Sequence, residues 1–107
     1  MPVRHIVFLT FKPDANPEAV DEAWSRVLGL KDTCIHPQTG KPYIRSLTGG
    51  KNISADAGQG GASHIFTAEF DSVADRDFYA SVDPAHSAAK AGLAGLVEGA
   101  VVGYYEV

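Results

Sequence analysis

Proton transfer near neutral pH is work for an imidazole, and of the four histidines in this sequence His86 has the most telling context. It stands in Asp83-Pro84-Ala85-His86, where an Asp cap and a proline at the first helical position predict a helix from Pro84 to about Val97, broken by Gly99. At about 100° per residue, His86 shares an arc with Ala89, Leu93 and Val97 and therefore points inward. In the first turn it also lies near the positive end of the helix dipole, which disfavours the imidazolium and leaves a neutral ring as proton acceptor. General-base catalysis would use such a ring. The plainer alternative is a histidine that satisfies one hydrogen bond at a helix start and does no chemistry.

His5 and His64 occupy equivalent places in an internal echo, His5-Ile6 to Phe11 and His64-Ile65 to Phe70, both of the form H-I-x-x-x-x-F. Strand alternation groups them with Val7, Leu9, Phe66 and Ala68 on one type of face. Should these faces meet His86, three imidazoles would share an apolar wall, as in a small-molecule pocket with few polar anchors. Each of the two alone could equally make a strand-end hydrogen bond. No histidine or carboxylate follows His5, His64 or His86 at the i+3 or i+4 spacing of helical metal sites, so no metal and no cofactor is expected. His36, between Ile35 and Pro37, is expected to be solvated. Trp24 and Tyr79 are candidates for a pocket wall and a phenolic donor, although an aromatic on an apolar helix face is also ordinary core.

Other nucleophilic and phosphate-binding signatures fail on spacing. Gly50-Lys51 is preceded five residues earlier by Arg45 rather than Gly and followed by Asn52 rather than Ser or Thr, so it is no P-loop. Gly58-Gln59-Gly60-Gly61 leads into a strand rather than opening a helix, which removes the dinucleotide fingerprint. There is no Gly-x-Ser-x-Gly elbow, and Cys34 has only loop context.

The elements that must position these residues follow from periodicity. Val3 to Phe11 reads as a strand apolar on both faces, hence central in a sheet and covered on both sides. Asn16-Pro17 opens an amphipathic helix to about Leu30, with Val20, Ala23, Trp24, Val27 and Leu28 along one stripe. Lys31 to Pro42 reads as a loop, and Tyr43 to Thr48 as a short strand ended by Gly49-Gly50. The stretch to Gly61 has the composition of a mobile surface loop. Ser63 to Phe70 is a third strand, Ser72 caps a short helix to about Val82, and Ala100 to Val107 is the last strand.

Strand, helix, strand, strand, helix, strand is the α+β ferredoxin-like split βαβ plan, a four-stranded antiparallel sheet with helices on one face, filling residues 1–107 as a single domain. The bare sheet face needs a cover, and a second copy stacked on it would close a dimeric α/β barrel. A core this small gains from such pairing.

Composition narrows the partners. With 45% hydrophobic and 21% charged residues the chain is typical of folded proteins. A net charge of −4, with nine basic residues dispersed along the chain, argues against nucleic acid. The absence of a long apolar stretch argues against a membrane span or signal peptide, and one cysteine fits a reducing compartment, so a cytoplasmic location is expected. Asn52-Ile53-Ser54 matches a glycosylation acceptor, which has no meaning without secretion.

Val3 to Phe11, Gly49 to Asn52, Ser63 to Ile65 and Asp83 to His86 together resemble the stress-responsive A/B barrel (Dabb) family over nearly the whole chain. The segment around Cys34 and the D-P-A-H variant look similar to fungal-type members. The resemblance implies the dimeric ferredoxin-like barrel. In members similar to olivetolic acid cyclase it implies a polyketide cyclase in which His86 is the base that closes a poly-β-ketone by aldol chemistry, without cofactor and with help from a tyrosine. Similar folds also host hydroxynitrile lyases. By position the resemblance assigns His5 and His64 to the pocket, with Val7, Leu9, Trp24, Val27, Leu47, Phe66 and Val102 as its apolar lining. The sequence departs from the cyclases at the tyrosine: they keep it six residues before the histidine, where this chain has Ala80, and Tyr79 lies seven before. The competing expectation is a non-catalytic dimer that binds an apolar ligand or a partner. A monooxygenase function of the haem-degrading type is a third possibility by analogy of fold alone.

Overall fold

The computed structural model describes residues 1–54 and 61–107. Its elements are β1 (Val3–Phe11), α1 (Pro17–Leu28), α2 (Leu30–Thr33), β2 (Ile44–Lys51), β3 (His64–Phe70), α3 (Val73–Ser81), α4 (Pro84–Leu93) and β4 (Val97–Glu106). The strands form one antiparallel sheet in the order β2-β3-β1-β4. The helices lie on one face, which gives the ferredoxin-like arrangement.

Register explains which side chains meet the helices. His5 pairs with Ala68 and Tyr104, and Val7 with Phe66 and Val102, so alternate β1 residues line up with alternate residues of β3 and β4. The face carrying Val3, Val7, Leu9, Phe66, Ala68 and Phe70 is buried against Val27, Leu30, Tyr79 and Ala89 from the helices. Fully burying one such large side chain contributes about 1.5–3 kcal/mol. The opposite face is uncovered in the subunit: Phe8 is 40% exposed, Val101 67% and Tyr105 49%.

Three helix starts are fixed by side-chain caps. Asn16 Oδ1 accepts from the Glu18 and Ala19 amides at 2.9 and 3.2 Å, and Ser72 Oγ accepts from Asp75 N at 3.2 Å. Asp83 does the same for α4.

Several boundaries differ from the sequence expectation. α4 ends at Leu93 rather than near Val97, because Gly95 turns the chain at φ 83° and Val97 already pairs with Phe11. Val97 is therefore a strand residue and not part of the His86 arc, and Gly99 sits inside β4 opposite Thr10, next to a register shift. β2 likewise runs through Gly49-Gly50 to Lys51 instead of stopping at Thr48. Gly49 is needed there because a Cβ would lie 2.7 Å from both the Ile65 carbonyl oxygen and Phe66 Cβ. The first helix stops at Leu28, and the stretch expected to be loop from Lys31 contains most of α2 and an Ile35–Pro42 bridge. The centre of the glycine-rich segment lies outside the described residues. Its flanks are tied together by Asn52, whose amide donates to Ser63 O at 2.8 Å and whose Nδ2 donates to Ala62 O at 2.9 Å.

Candidate active site

Between the β3-β1-β4 part of the sheet and the helices lies a cavity of about 490 Å³. β1 contributes His5, Val7 and Leu9, β3 contributes Phe66, and β4 contributes Val97, Ala100 and Val102. From the helical layer come Val27, Leu30, Arg76, Tyr79, Ala80, His86, Ala89, Lys90, Leu93 and Ala94.

One buried carboxylate holds the start of α4. Asp83 is 1% exposed; its Oδ1 accepts from the Ala85 amide at 2.8 Å and the His86 amide at 3.5 Å, and its Oδ2 accepts from the Tyr43 hydroxyl at 2.5 Å. Cys34 hydrogen-bonds to the same carboxylate, and burial first, then the Asp83 charge, pushes its thiol up to about 12. The residue that caps the helix is thus locked to β2's approach and to the end of α2. His86 is set in the first turn as a result.

The His86 ring stacks on Tyr79 at 3.9 Å between centroids, tilted by 26°, and hydrogen-bonds to the backbone of Tyr79. Tyr79 reaches it because only Val82 and Asp83 separate α3 from α4. His5 packs edge-on to Tyr79 at 5.6 Å. Arg76, one turn before Tyr79, donates from Nε to His5 Nδ1 at 3.3 Å and lays its guanidinium 3.8 Å over the ring of Tyr104.

Burial and neighbouring cations hold both histidines neutral at pH 7. His86 is lowered mainly by burial, then by Lys90 and Arg76, against opposing contributions from the Tyr79 backbone and Asp83. His5 is lowered to about 4 by burial, then by Arg76 and His86. Because Arg76 donates into Nδ1, the His5 proton belongs on Nε2. Burial raises the Tyr79 phenol well above its ordinary range, so it stays protonated. Its hydroxyl is buried and makes no hydrogen bond among the described residues. An unprotonated imidazole, neutral donors and two cations against an apolar wall are the parts required to take a proton from carbon and stabilise the resulting oxyanion.

Of the residues singled out in the sequence, the cavity brings together His86, Tyr79, His5, Val7, Leu9, Val27, Phe66 and Val102. Trp24, Leu47 and His64 are not among its lining. His64 lies on the same sheet face but at the other end of β1, its ring between Phe11 at 4.8 Å and Trp24 at 4.7 Å, and its Nδ1 3.1 Å from Ser63 Oγ. Trp24 is occupied by that contact, and Leu47 sits on β2, the edge strand farthest from β4. His36 is not merely solvated: its ring is 5.8 Å from both Tyr43 and Phe78, and Nε2 is 3.7 Å from Asp75. Arg76 and Lys90 were not anticipated. Helical spacing held the signal, since Arg76 precedes Tyr79 and Ala80 by three and four residues and Lys90 follows His86 by four. Among the described residues no group of three or more His, Cys, Asp or Glu could hold a metal ion. No helix among them is long and apolar enough to cross a membrane.

Solved structures with this fold include a protein of Arabidopsis thaliana, 25% identical with a TM-score of 0.78, the match covering 98% of this chain and 94% of that one. A Bacteroides fragilis protein of unknown function, described as dimeric with a ferredoxin-like fold, is 27% identical with a TM-score of 0.68, covering 99% and 96%. A hydroxynitrile lyase from Passiflora edulis is 24% identical with a TM-score of 0.75, covering 99% and 93%, a likeness of fold. No curated protein matches the chain. Residues 3–107 match the stress responsive A/B barrel domain, and with nearly its whole length inside that match the chain belongs to the Dabb family.

Proposed function

We propose that this protein is a cofactor-independent enzyme in which His86 removes a proton alpha to a carbonyl, the opening step of aldol-type ring closure on a poly-β-ketone. The observation that carries this is the neutral His86 ring, stacked on Tyr79 and exposed to an apolar cavity shared with the His5–Arg76 pair. In the first step the C–H electron pair moves toward the carbonyl as the proton passes to His86. The Nε2–H of His5 is the donor best placed by its tautomer to meet the enolate oxygen, with Tyr79 as the alternative. Attack of the enolate carbon on a second carbonyl forms the ring bond, and His86 returns its proton to the new alkoxide. Resemblance to cyclase-type and fungal-type members supports the substrate class, and a hydroxynitrile lyase with the same fold supports carbonyl chemistry in such a cavity.

The same proposal includes a homodimer, supported by the uncovered apolar sheet face and by neighbours described as dimeric ferredoxin-like proteins. It also includes a cytoplasmic location, supported by the free buried thiol of Cys34. The test is cyclised product from a poly-β-ketone supplied by an upstream synthase. His86→Ala is expected to lower the rate by about 10²–10⁴-fold, the range of a general base. Equal product from wild type, variant and a protein-free control would refute it. A non-catalytic role as an apolar-ligand binder is favoured by one feature, Ala80 in the cavity wall at the cyclases' tyrosine position. Saturable binding without turnover of any carbonyl compound would decide for that role.

A further inference from the structure

The charges lining the cavity are of one sign. Although the chain carries 13 acidic and nine basic residues, Arg76 and Lys90 line the cavity and, among the described residues, no Asp or Glu does. The rest of the wall is histidine, tyrosine and hydrocarbon.

Arg76 is held firmly and yet is under-neutralised. Its side chain is 16% exposed, its Nε is engaged by His5, and its face rests on Tyr104. Its one ion pair among the described residues is to Asp77, at 3.5 Å and with Asp77 58% exposed. A largely buried guanidinium with five donors is costly unless a carboxylate or equivalent meets it. Lys90, one turn beyond His86 on α4, makes no ion pair among the described residues. After burial, both cations act on His86 in the direction that disfavours its charged form.

We infer that the cavity takes an apolar carboxylate, its hydrocarbon body against Val7, Val27 and Phe66 and its carboxylate between Arg76 and Lys90 beside His86. The site is read here as the substrate site proposed above, so the inference names the substrate class of that reaction: a carbonyl compound that is also an acid. Two consequences follow. A neutral isostere leaves the largely buried Arg76 without an anion, so the charge discriminates among ligands of equal shape, with the more exposed Lys90 adding to the effect. A bound carboxylate also offsets the two charges that weaken His86, so the base regains proton affinity when the site is occupied.

The experiment is calorimetric binding of 4-pentylbenzoate and of 4-pentylbenzamide, equal in shape and different in charge, at pH 7.5. The benzoate is expected to bind at least about tenfold more tightly to the wild-type protein. That preference is expected to shrink in Lys90→Gln, a change on an exposed position, and to vanish in the Arg76→Gln/Lys90→Gln double variant. Equal affinities in the wild type would overturn the inference without any variant needing to fold. An undiminished preference in a folded double variant would overturn it too. His86→Ala separates this from the catalytic proposal: a retained preference supports the anion site whatever happens to turnover, and a preference lost with His86 alone overturns it.

Discussion

Replacing Asp83 by alanine should cost the fold more than any surface change of similar size, and the cost follows from its contacts. The carboxylate caps α4 through the Ala85 and His86 amides, and loss of an N-cap costs about 1 kcal/mol, up to about 2. Removing it also leaves the buried Tyr43 hydroxyl without an acceptor, a further penalty of about 1–3 kcal/mol. Relief of a buried charge offsets part of this, so a net loss of about 2–4 kcal/mol is expected. Urea unfolding at fixed protein concentration measures it, and a double-mutant cycle with Tyr43→Phe isolates the shared bond, with a coupling of about 1–2 kcal/mol expected. Asp83→Asn retains an acceptor for the amides and should lose less. Activity should fall with the fraying of the first turn, because His86 sits in it. A loss under about 1 kcal/mol, or no coupling to Tyr43, would refute the view that Asp83 sets the position of His86.

The folded state holds His5 at about 4, and His64 and His86 below the ordinary imidazole value of about 6.5, so the unfolded chain binds more protons between those values. Stability should therefore be complete above pH 6.5 and decline as the pH falls toward 4, by up to about 3 kcal/mol for His5 alone. His5→Phe should flatten that decline, as followed by thermal melts across the range. Tyr79→Phe removes a buried hydroxyl that has no hydrogen-bond partner among the described residues, so unfolding free energy should stay level or rise by up to about 1 kcal/mol; a loss of about 1 kcal/mol or more would show that the hydroxyl is hydrogen-bonded. Gly49→Ala should destabilise by about 1–3 kcal/mol, whereas Gly50→Ala, with open space around its Cβ, should change stability by less than about 0.5 kcal/mol in the same denaturation series.

The fold was legible where one local rule decided an element. Alternation over Val3–Phe11 fixes β1 to the residue, and Asn16-Pro17 and Asp83-Pro84 mark helix starts because cap and proline agree. Ends were harder. Gly49 and Gly99 look like breakers, yet both lie inside strands, Gly49 because Phe66 on the neighbouring strand leaves no room for a Cβ. Such close approach is set by a residue distant in sequence and leaves no local trace. The site divides in the same way. His5 and His86 could be placed by periodicity, Tyr79 only named as a candidate one residue off the cyclases' tyrosine position, and His5 and His64 were equivalent on paper and differ in space. They lie at opposite ends of the antiparallel β1–β3 pair, His5 opposite Ala68 and His64 opposite Leu9. Arg76 carries little local signal, because a charged residue in a polar run reads as solvent-facing and its partners Tyr104 and His5 are distant in sequence.

Among the described residues, strand β4 is hydrogen-bonded in the sheet to β1 alone, yet it supplies Val97, Ala100 and Val102 to the cavity. Edge strands open more readily than central ones, so the amide protons of residues 97–106 should exchange with deuterium sooner than those of β1. A compound that fills the cavity leans on this strand and must be released before it can open, which slows exchange by about one plus the ratio of ligand concentration to Kd. Deuterium uptake in this one peptide, read by mass spectrometry, would therefore rank ligands without knowledge of the reaction. The strand that makes the cavity wall would serve as its own reporter.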